Sequence, residues 1–110
     1  MTPNEYQKEA HKFACYSGLE RKDFTYPVLG LTEEAGEVAG KFAKAVRDSN
    51  GVISEERKTE IKKELGDVCW MLAEVSTVLD LDLEDVMQSN IDKLADRKAR
   101  NVIHGSGDNR

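Results

Sequence analysis

Apolar residues recur in steps of three and four along two long segments of this chain. Such spacing is typical of helices that turn one face toward a core. The first segment carries Leu31, Ala35, Val38, Phe42 and Ala45, and the second carries Ile61, Leu65, Val68, Leu72, Val75 and Leu79. Between the two segments, the turn-favouring residues Ser49-Asn50-Gly51 interrupt the pattern. The pattern therefore predicts two antiparallel helices that form a hairpin.

Helix-capping residues predict where the helices begin and end. Thr2-Pro3-Asn4-Glu5 matches a capping box with proline at the first helical position, and it predicts a first helix that runs to about Tyr16. Pro27 suits the first turn of a second helix, which is expected to end at about Asp48. Ser54 is the predicted cap of the third helix.

A fourth helix is predicted after a short break at residues 80–82. Asp82 is its expected cap, and it is expected to end near Lys98. Its predicted buried positions are Val86, Ile91 and Leu94. Residues 98–110 show no apolar period and are predicted to form an irregular tail. Because strand signals are absent and 110 residues suit one domain, residues 1–110 are predicted to form a single all-α domain, similar to a four-helix bundle with the hairpin at its centre.

The two hairpin helices carry the same five-residue motif, which consists of an acid, an apolar residue, glycine, an acid and valine. The copies are Glu34-Ala35-Gly36-Glu37-Val38 and Glu64-Leu65-Gly66-Asp67-Val68. Residues three apart lie on neighbouring parts of one helix face, so each copy presents two carboxylates together. The copies are placed symmetrically about Asn50-Gly51. An antiparallel hairpin therefore brings Glu37 level with Glu64, and by the same symmetry Glu34 comes level with Asp67.

The charge of this acidic group is poorly compensated along the helices. A solvated helix face usually places a basic residue three or four positions after an acid, and of the four acids only Glu37 has one, Lys41. Like charges at the edge of a core destabilise the fold unless a cation neutralises them. Oxygen ligands without His or Cys favour a hard divalent cation such as Mg²⁺, which leaves positions for water and phosphate. The spacing predicts a metal site at Glu34, Glu37, Glu64 and Asp67, and a solvated acidic surface is the alternative.

The helical glycines and the remaining apolar residues predict an assembly of several copies. Gly36 and Gly40 each cost up to about 1 kcal/mol inside a helix, which favours a close packing contact in the fold or between subunits. The face opposite the acids carries both glycines together with Leu29 and Trp70. This is more contact surface than one small chain covers, so a homodimer or homotetramer is expected.

Composition excludes several classes of function. A net charge of −5 argues against a general nucleic-acid binder, which needs a basic surface. No apolar run approaches the roughly 20 residues that span a bilayer, so neither nucleic acid nor membrane is an expected partner. Cys15 and Cys69 lack the spacing of a zinc site and are predicted to be reduced, partly buried thiols. A cytoplasmic protein is expected.

These motifs give the chain a resemblance to a known family over nearly its whole length. It resembles the MazG-like nucleoside triphosphate pyrophosphohydrolases of the all-α NTP pyrophosphatase superfamily, whose signature is E-E-x-x-E followed by E-x-x-D. Here the signature reads Glu33-Glu34-Ala35-Gly36-Glu37 and Glu64-Leu65-Gly66-Asp67. The helical wheel turns Glu33 away from the other acids. The family also places K-x-x-x-R on the next helix, and the ending at residues 105–110 is similar to the tail of short MazG-like proteins.

The resemblance implies Mg²⁺-dependent hydrolysis of a nucleoside triphosphate between its α and β phosphates, with Mn²⁺ as a substitute ion. The products are a nucleoside monophosphate and pyrophosphate. In this scheme the catalytic and metal-binding residues are Glu34, Glu37, Glu64 and Asp67, with either Glu34 or Glu37 as general base. The implied phosphate-binding residues are Asn90, Lys93 and Arg97, for which ordinary solvated side chains are the alternative. Family members form dimers, often paired into tetramers.

Two further functions remain open at this point. One is phosphoribosyl-ATP pyrophosphohydrolase activity, from the same superfamily. The other is a catalytically silent helical module that binds a metal or a partner. For either enzyme, the side chains available to contact a base are Phe13, Tyr16, Phe24, Tyr26, Trp70 and Met71.

Overall fold

The computed structural model describes all 110 residues and contains helices but no strand. The helices are α1 (Pro3–His11), a short 3-10 helix (Leu19–Arg21), α2 (Thr25–Ser49), α3 (Glu55–Val78) and α4 (Leu83–Ala99). The predicted all-α fold is confirmed. The antiparallel hairpin of α2 and α3 forms its centre, and α1 packs mainly against α3.

Local sequence signals fix most of the helix ends. The Thr2 hydroxyl accepts a hydrogen bond from the Glu5 N–H, and the Glu5 carboxylate accepts one from the Thr2 N–H, so the predicted capping box is present. The Ser54 hydroxyl caps α3 by accepting from the Arg57 N–H. At the hairpin turn Asn50 has φ 56°, in the left-handed region that asparagine tolerates better than most residues.

Helix α1 ends at His11 rather than at the predicted Tyr16. The reason is a contact distant in sequence. The carbonyl oxygen of Ala10 accepts a hydrogen bond from the Trp70 indole on α3. The chain then leaves the helix through a turn, which lets Tyr16 reach back toward α3.

Helix α4 begins at the predicted position, but its cap comes from α1. Asp82 makes no capping hydrogen bond with its side chain. Instead, the Leu83 N–H donates to the side-chain carbonyl of Gln7, and the Glu84 N–H donates to that of Asn4. The Gln7 amide also donates to the Leu81 carbonyl. Helix α1 therefore fixes the direction in which α4 leaves α3.

The core lies along the hairpin, but it is smaller than the apolar stripes predict. Its apolar members are Ala10, Ala45, Ile61, Met71, Ala73, Val78 and Leu83. Gly30 lets the Met71 side chain of α3 pack directly against the backbone of α2, because a Cβ there would lie 2.5 Å from the Met71 sulfur. In contrast, Phe42 and Leu65 are almost half exposed, and Ala35 and Leu79 are exposed as well. For these four stripe positions the prediction of burial is wrong in a single chain.

Helix α4 contributes little to this core. It contacts α1 and α3 but not α2. Of its three predicted buried positions Val86 is half-buried, whereas Ile91 is 59% and Leu94 is 41% exposed, so the prediction is wrong for these two. Gly36 and Gly40 have open space where a Cβ would point, so packing within one chain does not explain them.

The chain is consequently more open than a globular domain of its size. Its radius of gyration is 16.9 Å, against about 13 Å expected for this length. Its accessible surface is 7921 Å², against about 6,100 Å² expected for a monomer of this mass.

Cys15 and Cys69 are free, as predicted, but both are exposed rather than partly buried. None of the helices is both long enough and apolar enough to cross a membrane.

A buried carboxylate joins α1 to α3. Glu74 is completely buried, and its oxygens accept a hydrogen bond from the Tyr16 hydroxyl at 2.8 Å and lie 3.2 Å from His11 Nδ1. Burial, together with the bond to Glu74, raises the pKa of Tyr16. A buried carboxylate is tolerated only when donors satisfy it, so these two residues are needed to stabilise the junction.

We expect Tyr16→Phe to lower the free energy of unfolding by about 1–3 kcal/mol, because it removes the hydroxyl donor of the buried Glu74 carboxylate and leaves only His11 Nδ1 beside it. Urea denaturation measures the change. Tyr26→Phe is the matched control, since the Tyr26 ring stacks on Tyr16 but its hydroxyl lies outside this network. Equal losses in the two variants would contradict the role assigned to the Tyr16 hydroxyl.

Candidate metal and phosphate site

Three of the four predicted acids converge across the hairpin. Glu34 on α2 and Glu64 and Asp67 on α3 each offer one carboxylate oxygen, and these oxygens all lie within 4.8 Å of one another. Glu34 and Glu64 are half-buried, while Asp67 is exposed. The antiparallel register and the spacing of three along α3 together produce this acidic cluster.

Within the acidic cluster, the surroundings of Glu34 disfavour its ionised form. Partial burial raises the pKa of Glu34, and the neighbouring carboxylates raise it further. The contributing acids, largest first, are Asp67, Glu33, Glu64 and Glu37. Each of these effects disfavours the ionised form. A cation that binds the cluster therefore relieves a cost that the folded chain otherwise carries.

Glu37 lies outside the three-carboxylate group. It is exposed, and its expected support, Lys41, pairs with Glu64 across the hairpin at 3.4 Å. Both members of that pair are largely buried, with 23% and 19% of their side chains exposed. The Lys41 ammonium thus neutralises part of the negative charge of the cluster. It pairs with Glu64, the residue that Glu37 was predicted to lie beside.

The donor set is chemically suited to a hard divalent cation. All three converging ligands are carboxylate oxygens, which Mg²⁺ and Mn²⁺ prefer. Three protein oxygens leave open positions for water and for phosphate oxygens, as is usual at Mg²⁺ sites that handle phosphates.

The predicted phosphate-binding residues lie apart from the acids in a single chain. Asn90 and Lys93 line an open pocket of about 400 Å³ on α4, together with Asp85, Val86 and Ser89. Arg97, one turn beyond Lys93, is buried. Because α4 does not contact α2, one chain does not bring these residues next to Glu34.

The tail at residues 100–110 is irregular, but it folds back on α4. The Asp108 carboxylate lies 2.9 Å from the Lys93 ammonium and 3.2 Å from Arg97 Nη2. Arg97 Nη2 also donates to the Asp108 carbonyl. The lysine and the arginine lower the pKa of Asp108. Asp108 gave no signal in the sequence, because nothing in a glycine-rich tail indicates what an isolated acid contacts.

Aromatic side chains form a second pocket further along the hairpin. Tyr16 stacks on Tyr26 with ring centroids 5.1 Å apart and meets Trp70 edge to face at 6.3 Å. The pocket measures about 400 Å³ and is lined by Phe13, Cys15, Tyr16, Ser17, Tyr26 and Trp70. Phe24 lies outside this lining. Met71, the remaining candidate for a base contact, is buried against Gly30.

Two residues of the aromatic pocket, Tyr26 and Trp70, lie on the hairpin that carries the acidic cluster. Trp70 follows Asp67 by one turn of α3, and Tyr26 precedes Glu34 by two turns of α2. At the rise of an α-helix these spacings correspond to about 5 and 12 Å. Glu74, the buried acid beside this pocket, was missed from the sequence, although it lies two turns after Asp67 on the same face.

Comparison with known proteins gives a family match and one similar phage protein. The family model of the MazG nucleotide pyrophosphohydrolase domain matches residues 24–102, which include the acidic cluster and the Lys93 and Arg97 pair. The Gene 37 protein of Mycobacterium phage L5 is 45% identical over 109 residues, covering 96% of each chain. No solved structure gives a significant match.

Proposed function

The chain belongs to the MazG nucleotide pyrophosphohydrolase family, and we propose that it hydrolyses a nucleoside triphosphate between the α and β phosphates in the presence of Mg²⁺ or Mn²⁺. The products are a nucleoside monophosphate and pyrophosphate. The observation that carries this proposal is the convergence of Glu34, Glu64 and Asp67 within 4.8 Å on the hairpin. A cytoplasmic localisation is also part of the proposal, and the two exposed, unpaired cysteines Cys15 and Cys69 support it.

The proposed domain is the whole chain, residues 1–110. The family match begins at residue 24. Helix α1 lies before it but is joined to the hairpin through Glu74, and to the start of α4 through Gln7. Because these contacts cap one helix and satisfy a buried acid, α1 is an integral part of the domain.

In the proposed mechanism the hairpin holds the cation and α4 holds phosphate oxygens. Glu34, Glu64 and Asp67 would hold the ion, which would neutralise the triphosphate and lower the pKa of the attacking water. Glu37 is exposed and is not one of the three proposed ligands. It is therefore a better candidate than Glu34 for the general base that accepts a proton from the attacking water. Asn90, Lys93 and Arg97 orient the phosphates, the arginine through paired donors.

This mechanism requires an assembly, because one chain separates the acids from the basic residues of α4. We therefore propose a homodimer or homotetramer. The large exposed surface, and the apolar side chains left exposed on α2, α3 and α4, support it. A second copy packed on these faces would also give Gly36 and Gly40 the close neighbour that a single chain lacks.

Light scattering is expected to give at least twice the chain mass of 12.3 kDa at micromolar concentration. Ile91→Glu, which places a charge on the exposed apolar face of α4, should shift the mass toward the monomer. Val52→Glu is the control, because Val52 is also exposed but lies in the hairpin turn. A monomeric mass for the unmodified protein would overturn the assembly.

Mg²⁺ is expected to raise the Tm of the unmodified protein but not the Tm of Glu34→Gln. Mg²⁺ at 100 times its Kd should stabilise the unmodified protein by about 2.7 kcal/mol, which calorimetry or fluorescence records as a higher Tm. Glu34→Gln should raise the Tm of the metal-free protein, because it removes a carboxylate from a repulsive cluster, and should abolish the increase with Mg²⁺. Glu33→Gln, on the outward face, should keep that increase. A full Mg²⁺ effect in Glu34→Gln would exclude this residue as a ligand.

The reaction is tested by incubating the protein and Mg²⁺ with a panel of nucleoside triphosphates and phosphoribosyl-ATP, and by separating pyrophosphate from orthophosphate. We expect pyrophosphate from a nucleoside triphosphate, and none from Asp67→Asn. Pyrophosphate from phosphoribosyl-ATP alone would favour the alternative enzyme. No product from any substrate, with Mg²⁺ binding retained, would leave a silent metal-binding module.

The aromatic pocket is the proposed site of the nucleobase. Stacking of a base on an aromatic side chain contributes about 1–3 kcal/mol, so Phe13→Ala should raise KM about fivefold or more. The Tm should hardly change, because 77% of Phe13 is exposed. Phe24→Ala is the control, since Phe24 is also exposed but does not line the pocket. Equal KM values in the two variants would place the base elsewhere.

A further inference from the structure

The basic pair on α4 already holds an anion that belongs to the chain itself. One oxygen of the Asp108 carboxylate lies 2.9 Å from Lys93 Nζ and 3.2 Å from Arg97 Nη2. Lys93 and Arg97 are four residues apart and so lie on one face of α4. A carboxylate shared between an ammonium and a guanidinium occupies the position that a phosphate group would take.

Asp108 satisfies this pair incompletely. Only 7% of the Arg97 side chain is exposed, and its Nε has no hydrogen-bond partner. A buried guanidinium donor without an acceptor is costly, because it has lost water and gained nothing. A phosphate group has oxygens enough to accept from Nε and Nη2 together and from Lys93 as well. The geometry therefore suits a phosphate better than it suits Asp108.

The loop that carries Asp108 is held by its own contacts. The Arg110 guanidinium donates to the carbonyl oxygens of Val102, Ile103 and Gly107. Arg100 donates to the Arg110 carbonyl. These bonds place Asp108 over the pair independently of its own side chain, so the loop is expected to persist when the carboxylate is neutralised.

The carboxylate itself is held weakly enough to be displaced. Its side chain is 80% exposed, and Lys93 is 36% exposed. The exposed pair between Asp108 and Lys93 contributes little in water because solvent screens it. The Asp108 carbonyl is different, since it accepts from the buried Arg97 and does not depend on the carboxylate.

We propose that the carboxylate of Asp108 is an internal competitor for the diphosphate or triphosphate group that Lys93 and Arg97 are proposed to bind. In the ligand-free chain the carboxylate occupies the pair, and it leaves when a phosphate group binds. Asp108 thereby weakens the binding of both substrate and product. The effect of Asp108 on the enzyme reaction rests on the proposed function. Its effect on the binding of a phosphate group to Lys93 and Arg97 does not.

The test uses inorganic pyrophosphate with EDTA present, so that no metal bridges the probe to the acidic cluster. Asp108→Asn keeps the carbonyl and the size of the side chain, and it should bind pyrophosphate about three- to tenfold tighter by calorimetry than the unmodified protein, as expected when one exposed competing charge is removed. Asp80→Asn is the control: Asp80 pairs with Lys22 before the start of α4 and undergoes the same change of charge. Its affinity should be unchanged.

Equal or weaker binding by Asp108→Asn, or equal gains in both variants, would overturn the inference. So would the absence of binding in all three proteins at millimolar pyrophosphate. Lys93→Ala, made in the Asp108→Asn background, should abolish the gain, which locates the effect at the pair. A Tm measurement on each variant establishes that it is folded.

Kinetics separate this inference from the proposed function. If the protein hydrolyses nucleoside triphosphates, Asp108→Asn should lower KM and the inhibition constant of pyrophosphate by similar factors, while Asp80→Asn leaves both unchanged. Tighter pyrophosphate binding without any hydrolysis would support the competitor and reject the enzyme. Hydrolysis without tighter pyrophosphate binding by Asp108→Asn would support the enzyme and reject the competitor.

Discussion

The contact between α2 and α3 at Gly30 and Met71 fixes how the two helices of the hairpin pack, and the acidic cluster depends on that packing. Without a side chain at Gly30, the two helices approach closely enough for Met71 to be buried between them. The turn at Asn50 fixes which residues then face one another. Glu34 lies one turn after Gly30, and Asp67 lies one turn before Met71. The packing that forms the core therefore also brings the carboxylates together.

The same contact explains why the acids are tolerated in the folded chain. Packing along the hairpin supplies the favourable free energy, while the carboxylates border the packed region and stay in partial contact with water. Lys41 offsets part of the charge by pairing with Glu64. The repulsion that remains between the carboxylates favours the binding of a cation, because a cation would stabilise a cluster that is already neutral only slightly. Stability and ligand binding are thus opposed at Glu34 in particular.

Features encoded within a few residues were predictable from the sequence. The Thr2 capping box, the Asn50 turn and the Ser54 cap each depend on near neighbours, and the spacing of the acids sufficed to place three of them together. The features that were missed depend on contacts between distant parts of the chain. The end of α1 follows from the bond between Trp70 and Ala10, and the burial of Glu74 follows from the return of Tyr16.

Distant contacts also decide what happens around α4. The cap by Gln7 aims the helix away from α2, and the tail covers Arg97, which by its sequence alone is indistinguishable from a solvated arginine.

The exposed apolar side chains of α4 show what an amphipathic pattern does and does not specify. The spacing of Ile91 and Leu94 predicts a buried face, and the chain forms the helix but leaves these side chains largely exposed. Periodicity reports that a face is apolar, but it does not say which molecule covers it. Phe42 and Leu65 on the hairpin are exposed in the same way, and the open glycines of α2 lie nearby in sequence. The pattern is therefore wrong about burial within one chain, and the homo-oligomer proposed above is the arrangement that would cover these side chains.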